Sequence, residues 1–276
     1  MDDLMPPRLS REELGELTES VRLLEADGFA SRLSRVVGSQ LRKVGSALPA
    51  PARHAVAVAA DTALKVAFRV ALSSLGKTTP GKTGAPAPRN RLHQAAAAAT
   101  GAIGGAFGFS STLAELPIST AILLRSVAEI ARSQGEDLAN PETALACMDV
   151  LGLGAERADA QASRSRYYLA REQLRQGLGD VDFILVKQGV ASEIAPMLAG
   201  YLRALGTRFG VVVSEKIAAQ AIPVIGALGG AAVNAAFAQH FQAMARGHFT
   251  VRRLERKHGA EAVRFEYERL RGELHV

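Results

Sequence analysis

Apolar positions recur along this chain at intervals of three and four residues. Nowhere do they alternate with polar ones for more than a few positions, so the pattern predicts helices and no sheet. Ser10 and Glu13 stand at capping-box spacing before Leu14, Leu17, Val21 and Leu24, which marks a first helix. A second apolar face runs from Phe29 through Leu33 to Leu48, interleaved with Arg32, Arg35, Arg42 and Lys43 and free of acids. Pro49 and Pro51 precede an Ala/Val-rich helical run over 53–75. The stretch 76–90 is dense in Gly, Pro, Lys and Thr and reads as a flexible linker. We therefore divide the chain into an N-terminal helical appendage (1–75), that linker, and a helical domain (91–276).

Beyond the linker the pattern stays helical. Residues 92–114 carry no charge apart from His93, and Glu115-Leu116-Pro117 interrupts the run before a second apolar stretch over 118–124. Asn140-Pro141-Glu142 is a helix start: a capping side chain, proline at the first position, then an acid. An Arg-rich helix is expected over 155–178, and a mixed segment over 183–210 with Pro196 as its start or kink. Residues 217–239 form a run of 23 positions without charge or histidine, followed from Gly247 by a strongly charged C-terminal region. The fold class is all-α, a multi-helix bundle.

Two segments inside the uncharged runs nearly repeat each other, Gly101-Ala-Ile-Gly-Gly-Ala and Gly226-Ala-Leu-Gly-Gly-Ala. Glycine costs a helix interior about 1 kcal/mol against alanine, so such segments imply a compensating close helix contact. Gly101, Gly104, Gly105 and Gly108 fall on one helix face, and Gly226, Gly229 and Gly230 form the matching set. Three arrangements satisfy the pattern: buried helices of a soluble bundle, a hairpin lying in one leaflet of a membrane, or two full spans. Ala and Gly contribute little transfer energy, and mean hydropathy is only +0.08, which weighs against spans.

Composition sharpens this picture in a few places. Aromatics are 5% of residues and Trp is absent, so the apolar content is the Ala, Val and Leu of closely packed helices. Cys147 is the single cysteine, which excludes an internal disulfide and a cysteine-based zinc cluster. The start, Met1-Asp2-Asp3-Leu4-Met5-Pro6-Pro7, has no secretory pattern, and a cytoplasmic location is expected. A net charge of +6 favours an anionic partner. Nucleic acid is not expected, because aromatic interleaving and recognition motifs are missing. The basic helix from Phe29 could instead lie on anionic lipid, or pack its apolar face into the core.

Motifs for chemistry are sparse. Gly76-x-x-x-x-Gly81-Lys82-Thr83 matches a P-loop in letters. Gly84, Pro86 and Pro88 forbid the helix that its phosphate-binding mechanism requires, so no nucleotide is expected there. The six histidines show no metal-ligand spacing, and neither metal nor cofactor is expected. Glu115 stands out, since a carboxylate in apolar surroundings either pairs with a cation or takes up a proton. Alternatively it caps a helix that starts at Pro117 and touches water. Asn234, His240, His248, Arg252 and Arg253 form a second group, in which His248 and Arg252, four apart, could share an anion or simply line a solvated helix face.

Several stretches in their order resemble the EcsC protein family. They are Gly101-Ala-Ile-Gly-Gly-Ala-Phe-Gly-Phe, Ala114-Glu-Leu-Pro-Ile-Ser-Thr, Leu124-Arg-Ser-Val-Ala-Glu-Ile-Ala-Arg-Ser-Gln-Gly-Glu, Arg208-Phe-Gly-Val-Val-Val-Ser-Glu-Lys, Ile222-Pro-Val-Ile-Gly-Ala-Leu-Gly-Gly-Ala-Ala-Val-Asn and His240-Phe-Gln-Ala-Met-Ala-Arg-Gly-His-Phe. The resemblance runs from about Arg91 to the C-terminus. It implies a bacterial, membrane-linked protein connected with an ABC transporter operon and secretion, and it carries over no catalytic residue. The expectation is thus a non-enzymatic helical protein on the cytoplasmic face of the inner membrane, supporting a transport or secretion system. Its partners would be anionic lipid, met by Arg32, Arg35, Arg42, Lys43, Arg252 and Arg253, or a membrane protein. The alternatives are a hydrolase of lipid or peptide that uses Glu115 with His240 or His248, and a soluble helical scaffold.

Overall fold

The computed structural model describes residues 9–26, 28–37, 50–73, 94–95, 109–155, 165–178, 198–220 and 226–274. Among these residues there are nine helices and no strand. They are α1 (Arg11–Leu24), α2 (Phe29–Val37), α3 (Ala50–Ser73), α4 (Phe109–Ser133), α5 (Pro141–Leu153), α6 (Arg166–Leu178), α7 (Ala199–Gln220), α8 (Gly226–His258) and α9 (Ala260–Leu274). No helix among the described residues is long and apolar enough to cross a membrane.

Local signals account for the ends of these helices. Glu13 N donates to Ser10 Oγ (3.2 Å) while Ser10 N donates to Glu13 Oε2 (2.8 Å), which closes the expected capping box of α1. Asn140 Oδ1 accepts from Glu142 N at 3.0 Å, with Pro141 at the first position of α5. Gly259 separates α8 from α9 at φ 89°, a left-handed backbone that side chains resist. Pro117 behaves differently from expectation. It lies inside α4 instead of starting a helix, and Glu115 is therefore two residues before it in the same helix.

The 33-residue α8, about 50 Å long, is the mast of the bundle. It packs against α1, α2, α4, α5, α7 and α9, while α3 packs on α4 and α7. Helices from residues 1–75, expected as an appendage, belong to the same core. Leu17, Val21, Phe29, Leu33 and Ala63 are at most 1% exposed and join one apolar cluster with Phe209, Phe241 and Met148. Phe29 and Leu33 turn the apolar face of α2 inward, towards α7 and α8, so the core-packing alternative describes this helix. Phe237 and Phe241 meet edge to face at 5.0 Å between centroids in the middle of the bundle.

Glycine-mediated contact is present among the described residues at Gly200 and Gly247. A Cβ on Gly200 of α7 would lie 2.8 Å from the Gly177 carbonyl oxygen of α6, so these two backbones touch. A Cβ on Gly247 of α8 would lie 2.7 Å from Leu24 Cγ of α1. Gly101, Gly104, Gly105 and Gly108 lie outside the described residues. Gly226, Gly229 and Gly230 form the first turns of α8, where Gly230 is buried. The 217–239 run is divided between α7 and α8, with 221–225 outside the described residues.

Candidate functional site

Helices α4 and α8 run parallel, because their cross-contacts climb together along both. Asn234 Nδ2 donates to Glu115 Oε1 at 2.8 Å, Gln242 Nε2 donates to Ser126 Oγ at 2.8 Å, and Arg252 Nε donates to Glu136 Oε1 at 2.9 Å. The first two rungs are buried and the third, where Glu136 lies just past the end of α4, is partly buried; together they make a polar seam between the two segments. Along α8 the rungs are eight and ten residues apart, and along the partner segment eleven and ten, so each step is two to three helical turns. Gln94 Nε2 extends the middle rung by donating to Gln242 Oε1 at 2.6 Å.

The first rung carries a buried ion pair. Lys216, on α7, is 0% exposed, and its Nζ lies 3.6 Å from Glu115 Oε1. The ammonium also donates to Ser119 Oγ at 3.3 Å and sits 4.8 Å from the centre of the Phe237 ring. Burial pushes the lysine pKa below its ordinary value, and the Glu115 carboxylate pulls the other way. Glu115 Oε2 is buried with no hydrogen-bond partner, so the pair is held by few contacts. A small cavity adjoins it, with room of about 10 Å³, lined by Ser119, Ser126, Asn234 and Gln242 among apolar neighbours. Of the alternatives raised by the sequence for Glu115, pairing with a cation is the one observed.

His240 and His248 lie away from this cluster. His240 is six residues beyond Asn234, about 9 Å along α8, and meets the Gly154 carbonyl oxygen through Nε2 at 3.0 Å. Burial pushes its pKa down to about 4. His248 is fourteen residues beyond Asn234, about 21 Å along the helix, and its Nδ1 lies 3.0 Å from the Tyr167 hydroxyl. Burial, with Arg171 and Arg252 nearby, holds it well below the usual histidine range. Both rings are neutral near pH 7, and neither makes a contact with Glu115 that would form an acid–base pair.

The basic residues singled out in the sequence are largely engaged inside the protein. Arg252 and Arg256 both bind Glu136, which is 5% exposed and whose pKa they hold down against burial. Arg253 pairs with Glu16 of α1 at 2.6 Å. Arg32 is half-buried, Arg35 belongs to α2, and Arg42 and Lys43 lie outside the described residues. Among the described residues no three His, Cys, Asp or Glu side chains are grouped as a metal would require.

Lys216 is the residue that sequence reasoning missed. One signal was available: it is the last charge before the 217–239 run, as Glu115 is the first charge after the 92–114 run. The two ions that bracket the uncharged stretches find each other. Over residues 11–254 the chain matches the family model described as the EcsC protein family. The chain belongs to the EcsC protein family. The match begins well before Arg91, so it takes in α1 to α3 as well. No curated protein and no solved structure matches the chain.

Proposed function

We propose that this protein is a non-enzymatic helical protein that docks on the cytoplasmic face of a bacterial membrane and supports a transport or secretion system there. One observation carries the reading. Because α4 and α8 run parallel, both enter the bundle at the same end, and each is the helix into which a glycine-rich uncharged segment leads: Gly108 directly precedes α4, and Gly226 opens α8. Ile118, one turn past Glu115, is 57% exposed at that end. The ion pair Glu115–Lys216 then marks where the charged body of the bundle begins. Uncharged, small-residue segments leading into helices that enter a body of net charge +6 from one end suit the interfacial layer of an anionic bilayer, where apolar insertion and headgroup attraction add. The partner is anionic lipid or a membrane protein such as a transporter, the latter in line with the family resemblance.

Flotation with vesicles tests this. The full chain should rise with vesicles containing a third anionic lipid at low salt, rise less with purely zwitterionic ones, and lose binding when Ile118 is replaced by Glu. Protein that stays in the dense fraction with both vesicle types would refute the proposal.

A further inference from the structure

His240, Met244 and His248 are spaced four apart and share one face of α8, and that face seats the ends of two other helices. His240 Nε2 donates to the carbonyl oxygen of Gly154, the C-cap of α5. The ring is pressed close, since a Cβ on Gly154 would sit 2.6 Å from Nε2. His248 Nδ1 shares a hydrogen bond of 3.0 Å with the hydroxyl of Tyr167, in the first turn of α6. Met244 lines a small cavity between these contacts, together with Gly154, Tyr167 and Leu24. We propose that this histidine face is a proton-sensitive clasp, which holds α5 and α6 on α8 at neutral pH and releases them in mild acid.

The chemistry of both rings supports release rather than tightening. His240 Nδ1 and His248 Nε2 are buried without hydrogen-bond partners. A proton added to His240 therefore becomes a buried N–H with no acceptor, and its charge is unpaired. Protonated His248 carries an N–H on both nitrogens, so its Nε2–H becomes a buried donor with no acceptor and its Nδ1–H must point at the Tyr167 hydroxyl. That hydroxyl already accepts from Arg171 Nη1 at 3.1 Å and cannot donate to a protonated ring. The surrounding charges are adverse as well. Arg32 of α2 faces His240, and Arg166 of α6 lines the same cavity with its guanidinium on Glu25. Arg171 of α6 and Arg252 of α8 face His248, while Glu255 is bound to Arg171 (2.7 Å) and Glu136 to Arg252. Tyr267 of α9 stacks on Tyr167 and donates to Glu25 at 3.0 Å. Among the described residues no carboxylate is hydrogen-bonded to either ring.

The sign follows from linkage. Each ring has a folded pKa below its unfolded value, so its contribution is complete above about pH 6.5 and is lost as pH falls towards the folded value, about 4 for His240. For His240 alone the open population should rise about twentyfold between pH 7 and pH 5, while Asp149 of α5, whose pKa burial raises to about 6, opposes opening by about tenfold over the same range, so the net rise comes from His240 and His248 together.

Cys147, the single cysteine, is buried in α5 at 3% exposure and is a built-in probe of that helix. Its labelling by a pyridyl disulfide, normalised to the urea-unfolded chain at each pH, should quicken about twentyfold or more from pH 7 to pH 5 while far-UV helicity holds. In the His240→Gln/His248→Gln variant the acceleration should shrink below about threefold, since neither site then titrates. An unchanged rate in the parent, a full response in the variant, or loss of helicity in step with labelling would each overturn the clasp. If the variant does not fold, the two histidine resonances of the parent decide: midpoints well below pH 6 support the proposal, and midpoints near 6.5 sink it.

Discussion

Replacing Lys216 by Met would leave the Glu115 carboxylate buried with only the Asn234 amide donating to it. The lysine is 0% exposed and contacts Glu115, Ser119 and the Phe237 ring, so its removal takes away an ion pair, a hydrogen bond and a cation–π contact together. Breaking one side of a buried pair costs about 3–5 kcal/mol, because the remaining charge must be neutralised or hydrated. Glu115→Gln should cost a similar amount by stranding the ammonium, although its amide oxygen can still accept from Asn234. The double change Glu115→Leu/Lys216→Met removes both charges and should lie within about 2 kcal/mol of the parent, the difference being the hydrogen bonds that Asn234 Nδ2 and Ser119 Oγ make to Glu115 and Lys216. Urea unfolding followed by far-UV circular dichroism yields all four stabilities and hence the coupling energy. A Lys216→Met variant within about 1 kcal/mol of the parent, or strictly additive single changes, would refute the buried pair and the polar seam built on it.

The glycines of α7 make an internal contrast. Gly200→Ala should destabilise by about 1–3 kcal/mol because its Cβ would meet the Gly177 carbonyl oxygen. Gly210→Ala, with nothing within 4 Å, should stabilise by about 0.5–1 kcal/mol, and thermal melts of both read the opposite signs. Asp149, half-buried beside the Tyr201 hydroxyl (2.8 Å), has its pKa pushed up to about 6 by burial. Its proton is retained in the folded state over about pH 4–6 while the unfolded chain loses it, so this contribution to stability is lost as pH rises through 6. Asp149→Asn should remove that dependence and gain about 1–3 kcal/mol at pH 7.5, which melting curves at pH 5 and 7.5 would resolve. Asn140→Ala should cost about 1 kcal/mol through the lost cap of α5, measured the same way.

The local rules were legible in the letters. Ser10 and Glu13 announced α1, Asn140 and Pro141 announced α5, and the three-and-four spacing of apolar residues settled the helical class, because each depends on neighbours within one turn. What stayed hidden depended on partners far away in the chain. Arg252 and Arg253 look like a free basic face until Glu136 and Glu16, more than a hundred residues off, are brought against them. Phe29 and Leu33 have a spacing that suits lipid and core equally, and only α7 and α8 decide between the two. Glu115 is the clearest case. Composition could say that a carboxylate beside an uncharged run must find a cation or a proton. Only the packing of α4 against α7 and α8 selected Lys216, because a buried charge is neutralised by whichever opposite charge the fold places within a few ångströms, and sequence distance has no bearing on that.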